Sequence, residues 1–397
     1  MVRIRKPLGA TIWPMTCAAL LIPASLGLTT GLRAGHVEEW ARMKPLIPRG
    51  YVCFRATNII SLDGKLAEPT WQAAPWTQDF VEIRGDEKAA PRLRTRAKML
   101  WDSTNLYLAA ELEAPHVWST IKQRDADLAQ ENAFEIFLDP DGDSHDYCEL
   151  TFNALNTARE VLLDKPYKDG GSASRSFELA GLRSHVQVRG SVNDPRDLDT
   201  GWTIEIALPW AALAEHAGRR APPSDGEQWR LNFCRVEWPT DKAGGRYRKL
   251  AGAPPAHWSW SAQGVDDMHR PEKWGYVQFS RKRGTRAPFI PDPALPARNA
   301  LQELYYYQKD FHQQNQRWAS SLAELHLTFP PITGLESTPV INLTADGYEA
   351  TLDGPMQGLK PLRWHIRQDA LFWTDPDLRT LLDLYYQRVL SESTPEP

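Results

Sequence analysis

The chain reads as an all-β protein: an antiparallel β-sandwich, immunoglobulin-like or jelly-roll-like, followed by a small C-terminal α+β appendage. Three observations predict this. Between residues 56 and 280, short apolar or alternating runs are separated by Gly, Pro, Asp and Asn, the pattern of many short antiparallel strands. Within that span only Pro209 to His216 reads as a helix, and a short one. From Arg298 the period changes, with Leu301, Leu304, Tyr305, Gln308, Phe311 and His312 at helical spacing before four further strand-like runs.

Taken in order, residues 1–34 read as an export signal. Arg3, Arg5 and Lys6 form a basic start, the apolar run Ala10 to Leu28 follows, and Arg33-Ala34 offers a cleavage site. Pro14, Pro23 and Gly27 interrupt the run, which suits a leader better than a spanning helix, and no second apolar stretch is long enough to cross a bilayer. Residues 35–55 are a Pro-containing lead-in. The strands expected in the sandwich are Arg96 to Trp101, Leu106 to Leu112, Phe134 to Asp139, Tyr147 to Asn153, His185 to Val192, Trp202 to Leu208, Trp229 to Trp238 and Trp274 to Phe279. Long loops at 115–133, 165–181 and 239–270 are candidates for function. Residues 281–297, basic and then proline-rich, read as a linker or a strap over the surface. The domain at 298–397 reads as one long helix, a short helix at Ser320 to Leu327, and strands at Val340 to Leu343, Gly347 to Leu352, Leu362 to Arg367 and Ala370 to Trp373.

Composition narrows the function classes. The 397 residues carry a net charge of −4, and loss of residues 1–34, with four basic residues and no acidic one, moves this to −8. That disfavours nucleic acid as a partner. Cys53, Cys148 and Cys234 remain after the leader, an odd number with no CxxC or Cys/His cluster, so zinc and redox chemistry have no support. Of the sixteen tryptophans many must be core, and exposed indoles also serve as flat platforms for sugar rings; counting alone does not sort the two uses. No nucleophile elbow, phosphate loop or zinc motif is present.

The stretch FEIFLDPDGDSHDY, residues 134–147, is the most informative. Phe134, Ile136 and Leu138 fall on one face of a strand, and Glu135, Phe137 and Asp139 on the other. Glu135 can therefore offer a carboxylate to a ligand. Asp139, Asp141 and Asp143 follow at alternate positions around Gly142. Hard oxygens at this spacing suit calcium, while the same residues also make an ordinary acidic turn.

The segments DGKLAEPTW (63–71), RTRAKMLWDSTNLYLAAEL (94–112), FEIFLD, GWTIEIALPWAAL (201–213) and KWGYVQF (273–279), in this order, resemble the family 9 carbohydrate-binding modules and larger secreted family 9-like proteins. The resemblance covers about residues 50 to 280. It implies a β-sandwich, binding of an oligo- or polysaccharide, calcium, and a glycoside hydrolase or surface partner. It places Glu135 on sugar hydroxyls, with Asn153 and Asn156 as amide contacts. It also shows departures. Ala129 stands where the family has one stacking tryptophan, Met268 or His269 where it has the other, and Thr151 where it has an arginine. Trp118, Trp238, Trp258 and Trp260 in the long loops are the candidates to rebuild a platform, and His269, before the last strand, is a candidate to close over a pocket or to tie down its loop by ion pairing. Noncatalytic glycan binding is the function these readings favour. A hydrolase of O-glycosyl bonds, using carboxylates near Glu135, and a surface scaffold protein are the alternatives.

Overall fold

In the structure, a computed structural model, the backbone is described at residues 35–85, 88–216, 218, 220–282, 287–330, 337–354, 362–375, 385–386 and 388–389. The expected export signal lies outside the described residues. Helix α1 (His36–Met43) leads into β1 (Gly50–Arg55) and the short helix α2 (Pro69–Ala73). Strands β2 (Thr95–Trp101), β3 (Asn105–Glu113), β4 (Ala133–Asp139), β5 (Tyr147–Asn153), β6 (Ala158–Leu163), β7 (Arg183–Arg189) and β8 (Gly201–Pro209) follow. After the short helix α3 (Trp210–Ala214) come β9 (Gln228–Glu237), β10 (Ala256–Ser259) and β11 (Gly275–Ser280).

These strands join in one sheet in the order β6–β5–β4–β9–β11–β1–β2–β3–β8–β7, with β10 also on β9. Leu106, Leu108, Ile204 and Ile206 from one end of this order share a single apolar core with Phe134, Ile136, Leu138 and Phe233 from the other. The sheet therefore curls so that its two halves face each other. Each fully buried apolar side chain of this size contributes about 1.5–3 kcal/mol. Two pairings are parallel, β1 with β11 and β1 with β2, so the sheet is mixed and not the wholly antiparallel sandwich expected. The physical reason is β1 itself. It lies in the stretch read as a lead-in, and its Tyr51 and Cys53 alternate into the core.

Helix α4 (Leu295–Asn315) packs on a second, antiparallel sheet of β12 (Val340–Leu343), β13 (Tyr348–Gly354), β14 (Leu362–Arg367) and β15 (Phe372–Asp375). The short helix expected at Ser320 to Leu327 is instead a run of turns. Helix α1 lies against α4, with Trp40 stacked on Tyr306 at 5.3 Å, so part of the lead-in belongs to this second core. Residues 287–290 are a strap. The Gln278 amide donates to Pro288 O and its Oε1 accepts from Ile290 N, which ties the segment to β11. Gly35 onward forms one compact unit. Cys53, Cys148 and Cys234 are buried and free, so no disulfide joins them. Among the described residues, no helix is long and apolar enough to cross a membrane.

Candidate functional site

Alternation along β4 builds the site. Phe134, Ile136 and Leu138 enter the main core, which turns Glu135 and Phe137 to the opposite face. There Phe137 joins Tyr147, Trp274 and Met268 in a smaller apolar cluster. Above this floor opens a cavity of about 300 Å³, into which Glu135, Glu149, Arg159, Tyr167, His257 and His269 contribute side chains. Register explains the convergence. Glu135 lies opposite Thr151 on β5 and Cys234 on β9, and Thr151 in turn lies opposite Arg159 on β6.

The polar groups are tied to one another. Arg159 Nη1 donates to Glu149 Oε1 at 2.7 Å. His269 Nδ1 is 2.9 Å from the Tyr147 hydroxyl, and its Nε2 is 3.7 Å from Glu149. Burial holds the His269 pKa below its ordinary value against the pull of Glu149 and Asp267. Across the cavity His257 Nδ1 lies 2.8 Å from Asp266, whose other oxygen accepts from Arg84 at 2.9 Å. Burial works against protonation of His257, but the Asp266 hydrogen bond and the Glu135 charge outweigh it and raise its pKa. The His257 hydrogen bond and then Arg84 hold Asp266 far below its ordinary value. Burial first, and the neighbouring Glu149 charge second, push Glu135 up to about 7. Tyr167 is 46 % exposed and meets His269 edge-on at 4.6 Å, which leaves ring surface open to the cavity. The arrangement offers carboxylate acceptors, guanidinium and imidazole donors, and one aromatic face: the set that hydroxyl groups on a C–H-faced ring require.

The profile of the carbohydrate family 9 binding domain-like proteins matches residues 62–280. The chain belongs to this family. Among solved structures, it is similar to a family 9 carbohydrate-binding module from Caldicellulosiruptor kristjanssonii in complex with cellotriose, at 15% identity over 62% of this chain and 100% of that one, with a TM-score of 0.39. The same module with glucose aligns at 15% identity over 60% of this chain and 100% of that one, TM-score 0.39. A Bacteroides uniformis protein described as carbohydrate-binding aligns at 14% identity over 59% of this chain and 100% of that one, TM-score 0.44. No curated protein matches the chain.

The family 9-like domain places the expected residues unequally. Glu135 and His269 line the cavity, as do Ala129 and Met268, two of the positions at which the resemblance implies departures from the family's stacking tryptophans. Thr151 does not line the cavity, but its cross-strand partner Arg159 does. Asn153 and Asn156 lie outside the cavity. The Asn153 amide donates to Ile121 O and Glu131, both at 2.7 Å, and its oxygen accepts from Leu155 N and Thr157 N, so its bonding is spent inside the protein. Asn156, at φ 61°, caps a turn and exchanges hydrogen bonds with Ser184. The tryptophans expected in the loops are packed. Trp260 is 1 % exposed against Phe233, Trp118 is buried, and Trp238 donates to Ala129 O at 2.8 Å beneath the Lys249 ammonium. Trp258 is buried beneath the Arg235 and Arg92 guanidinium groups. The aromatic face is Tyr167, from the long loop at 165–181. Its position in that loop was a signal; its residue type alone was not.

At the other end of β4 the acidic turn is closely packed. Asp139, Asp141 and Asp143 have oxygens within 4.8 Å of one another. Asp139 is buried and accepts from Gly142 N at 2.8 Å and Ser144 N at 3.0 Å, and Asp143 accepts from His145 N at 2.8 Å. Gly142 sits at φ 68°, where a side chain would be strained. Burial, then the charges of Asp141 and Asp143, hold the Asp139 carboxyl well above its ordinary value. Three converging hard oxygens, one of them desolvated, fit a divalent cation of the calcium type.

Proposed function

We propose that the chain is a noncatalytic carbohydrate-binding protein that takes a sugar into the Glu135 cavity. The family is one of binding domains rather than catalysts, and the observation that carries the site is the cavity around Glu135. It joins acceptors, donors and one open aromatic ring on the outer face of the family's signature strand. Its volume is at the small end for ligand sites and suits one or two sugar rings. A glycan array on the protein from Gly35 onward identifies the sugar. Calorimetry at pH 8, above the Glu135 pKa of about 7, then tests the site: Glu135→Ala is expected to weaken binding by about 1.5–3 kcal/mol, the range for a hydrogen bond to a charged group. Full affinity in a folded variant would remove Glu135 from the site.

Calcium at Asp139, Asp141 and Asp143 is part of the proposal. The ion relieves repulsion among the three carboxylates and fixes the end of the strand that carries Glu135; its role is structural. Calcium at a hundredfold excess over its dissociation constant is expected to add about 2.7 kcal/mol of stability. Melting curves in calcium and in chelator check this, with Asp141→Ala expected to be insensitive to the difference. An identical wild-type midpoint in both would leave an acidic turn and no ion.

Export supporting polysaccharide catabolism completes the reading, from the leader pattern at residues 1–34. N-terminal sequencing of the protein recovered outside the cytoplasm is expected to begin near Gly35. A cytoplasmic species with intact Met1 would contradict it.

A further inference from the structure

Tyr167, Lys168 and Asp169 form a single 3-10 turn whose residues serve two different neighbours. Tyr167 faces the Glu135 cavity, whereas Lys168 and Asp169 face α4. The Asp169 side chain is buried, and it accepts from Lys168 Nζ and Lys309 Nζ, each at 2.8 Å, and from the Tyr305 hydroxyl. Lys168 Nζ also donates to Tyr305 at 2.9 Å and lies over its ring at 4.5 Å. Lys309 Nζ reaches back to Lys168 O at 3.3 Å, which fixes the backbone of the turn as well as its side chains. Tyr305 and Lys309 lie one helical turn apart on α4, so one rigid element supplies both contacts. The helix is itself held by α1: Asp310 accepts from His36 N and Val37 N at 2.8 and 2.9 Å.

We propose that the C-terminal α+β part positions a ligand-facing wall of the cavity: α4, through Lys309 and Tyr305, locks the Lys168–Asp169 turn and so holds Tyr167 against the cavity. This rests on the reading of that cavity as the sugar site. A ring held in place before the ligand arrives need not be ordered on binding, and ordering one side chain or its loop costs an amount that appears directly in affinity. The proposal gives residues 298–397 a part in recognition without any contact to the sugar.

The test uses the full chain from Gly35 with cellotriose as the first probe and the best array ligand as the second. Lys309→Met removes one clamp and leaves the Lys168–Asp169 pair intact, so the variant retains a neutralised carboxylate. Binding is expected to weaken about two- to tenfold, and hydrogen exchange at the Asp169 and Gly170 amides to speed up. Lys309→Arg is expected to restore both. In a Tyr167→Ala background, Lys309→Met is expected to cost nothing further, since its effect passes through the ring; a general loss of structure would instead add to the Tyr167→Ala effect. Additive losses, or unchanged affinity with accelerated exchange, would overturn the proposal. If the wild type binds no saccharide, the functional reading fails by itself, and the exchange measurement still decides the clamp: unaltered exchange in Lys309→Met overturns it.

Discussion

Glu205→Ala is expected to destabilise the protein by about 3–5 kcal/mol, a large part of the 5–15 kcal/mol that typically separates folded from unfolded states. Glu205 is fully buried on β8. Its carboxylate accepts from Asp63 N at 2.9 Å, from Gly64 N, and from the Trp71 indole at 2.7 Å. Burial raises its pKa, and the two amide bonds work against that. The residue is thus the anchor by which the DGKLAEPTW segment is pinned to the GWTIEIALPW strand. Alanine leaves two buried donors, Gly64 N and the Trp71 indole, unpaired at about 1–3 kcal/mol each, and removes the partner of the half-buried Asp63 N. Glu205→Gln retains one acceptor oxygen and is expected to lose less. Urea unfolding of both variants checks this. An alanine variant with the wild-type midpoint would show that water replaces the carboxylate without cost.

Stability is expected to fall as pH rises from about 4.5 to above 7, through Glu135. The ordinary value of this carboxyl is 4.5 and burial raises it to about 7 in the fold. Below the lower value the group is protonated in both folded and unfolded chains and contributes no difference. Above the upper value it is ionised in both, and the folded state carries the cost of a buried charge facing Glu149, relieved in part by His257 and Arg159. Between them the unfolded chain releases its proton first, so the folded state loses ground by up to about 3 kcal/mol. The raised pKa of His257 acts in the same direction, so the comparison is with Glu135→Gln, which keeps His257. The two proteins are expected to match near pH 4.5, and the variant to be more stable near pH 8. A constant difference across the range would mean that Glu135 does not titrate as a buried acid.

The β-rich character of the main domain was legible where one physical rule dominates. Period-two alternation placed Phe134, Ile136 and Leu138 on the core face and Glu135 on the opposite one, because successive side chains of a strand point to opposite faces. Tyr147–Asn153 and Val340–Leu343 were read to the residue. The rule fails where partners are distant. Nothing local in Gly50–Arg55 announces two parallel neighbours, and nothing local in Asn153 reveals that Glu131 and Ile121 consume its amide. Arg159 escaped because its role is defined across the strand pair, opposite Thr151, and not along the chain. Ser320 to Leu327 carries helical composition, but its backbone closes as turns between α4 and the second sheet.

The β1 strand has a consequence for biosynthesis. It contributes five register pairs with β11 but only two with β2, so most of its partnership waits for residues 276–280. A nascent chain holds Gly50–Arg55 with one edge open until nearly all of the domain has left the ribosome, the condition in which unpaired edges recruit other chains. The same geometry limits dissection. A fragment cut at residues 62–280, the boundaries of the family match, loses β1 and leaves β11 and β2 facing a gap at the seam of the curled sheet. The smallest piece of this chain with a closed seam begins no later than Gly50 and ends no earlier than Ser280.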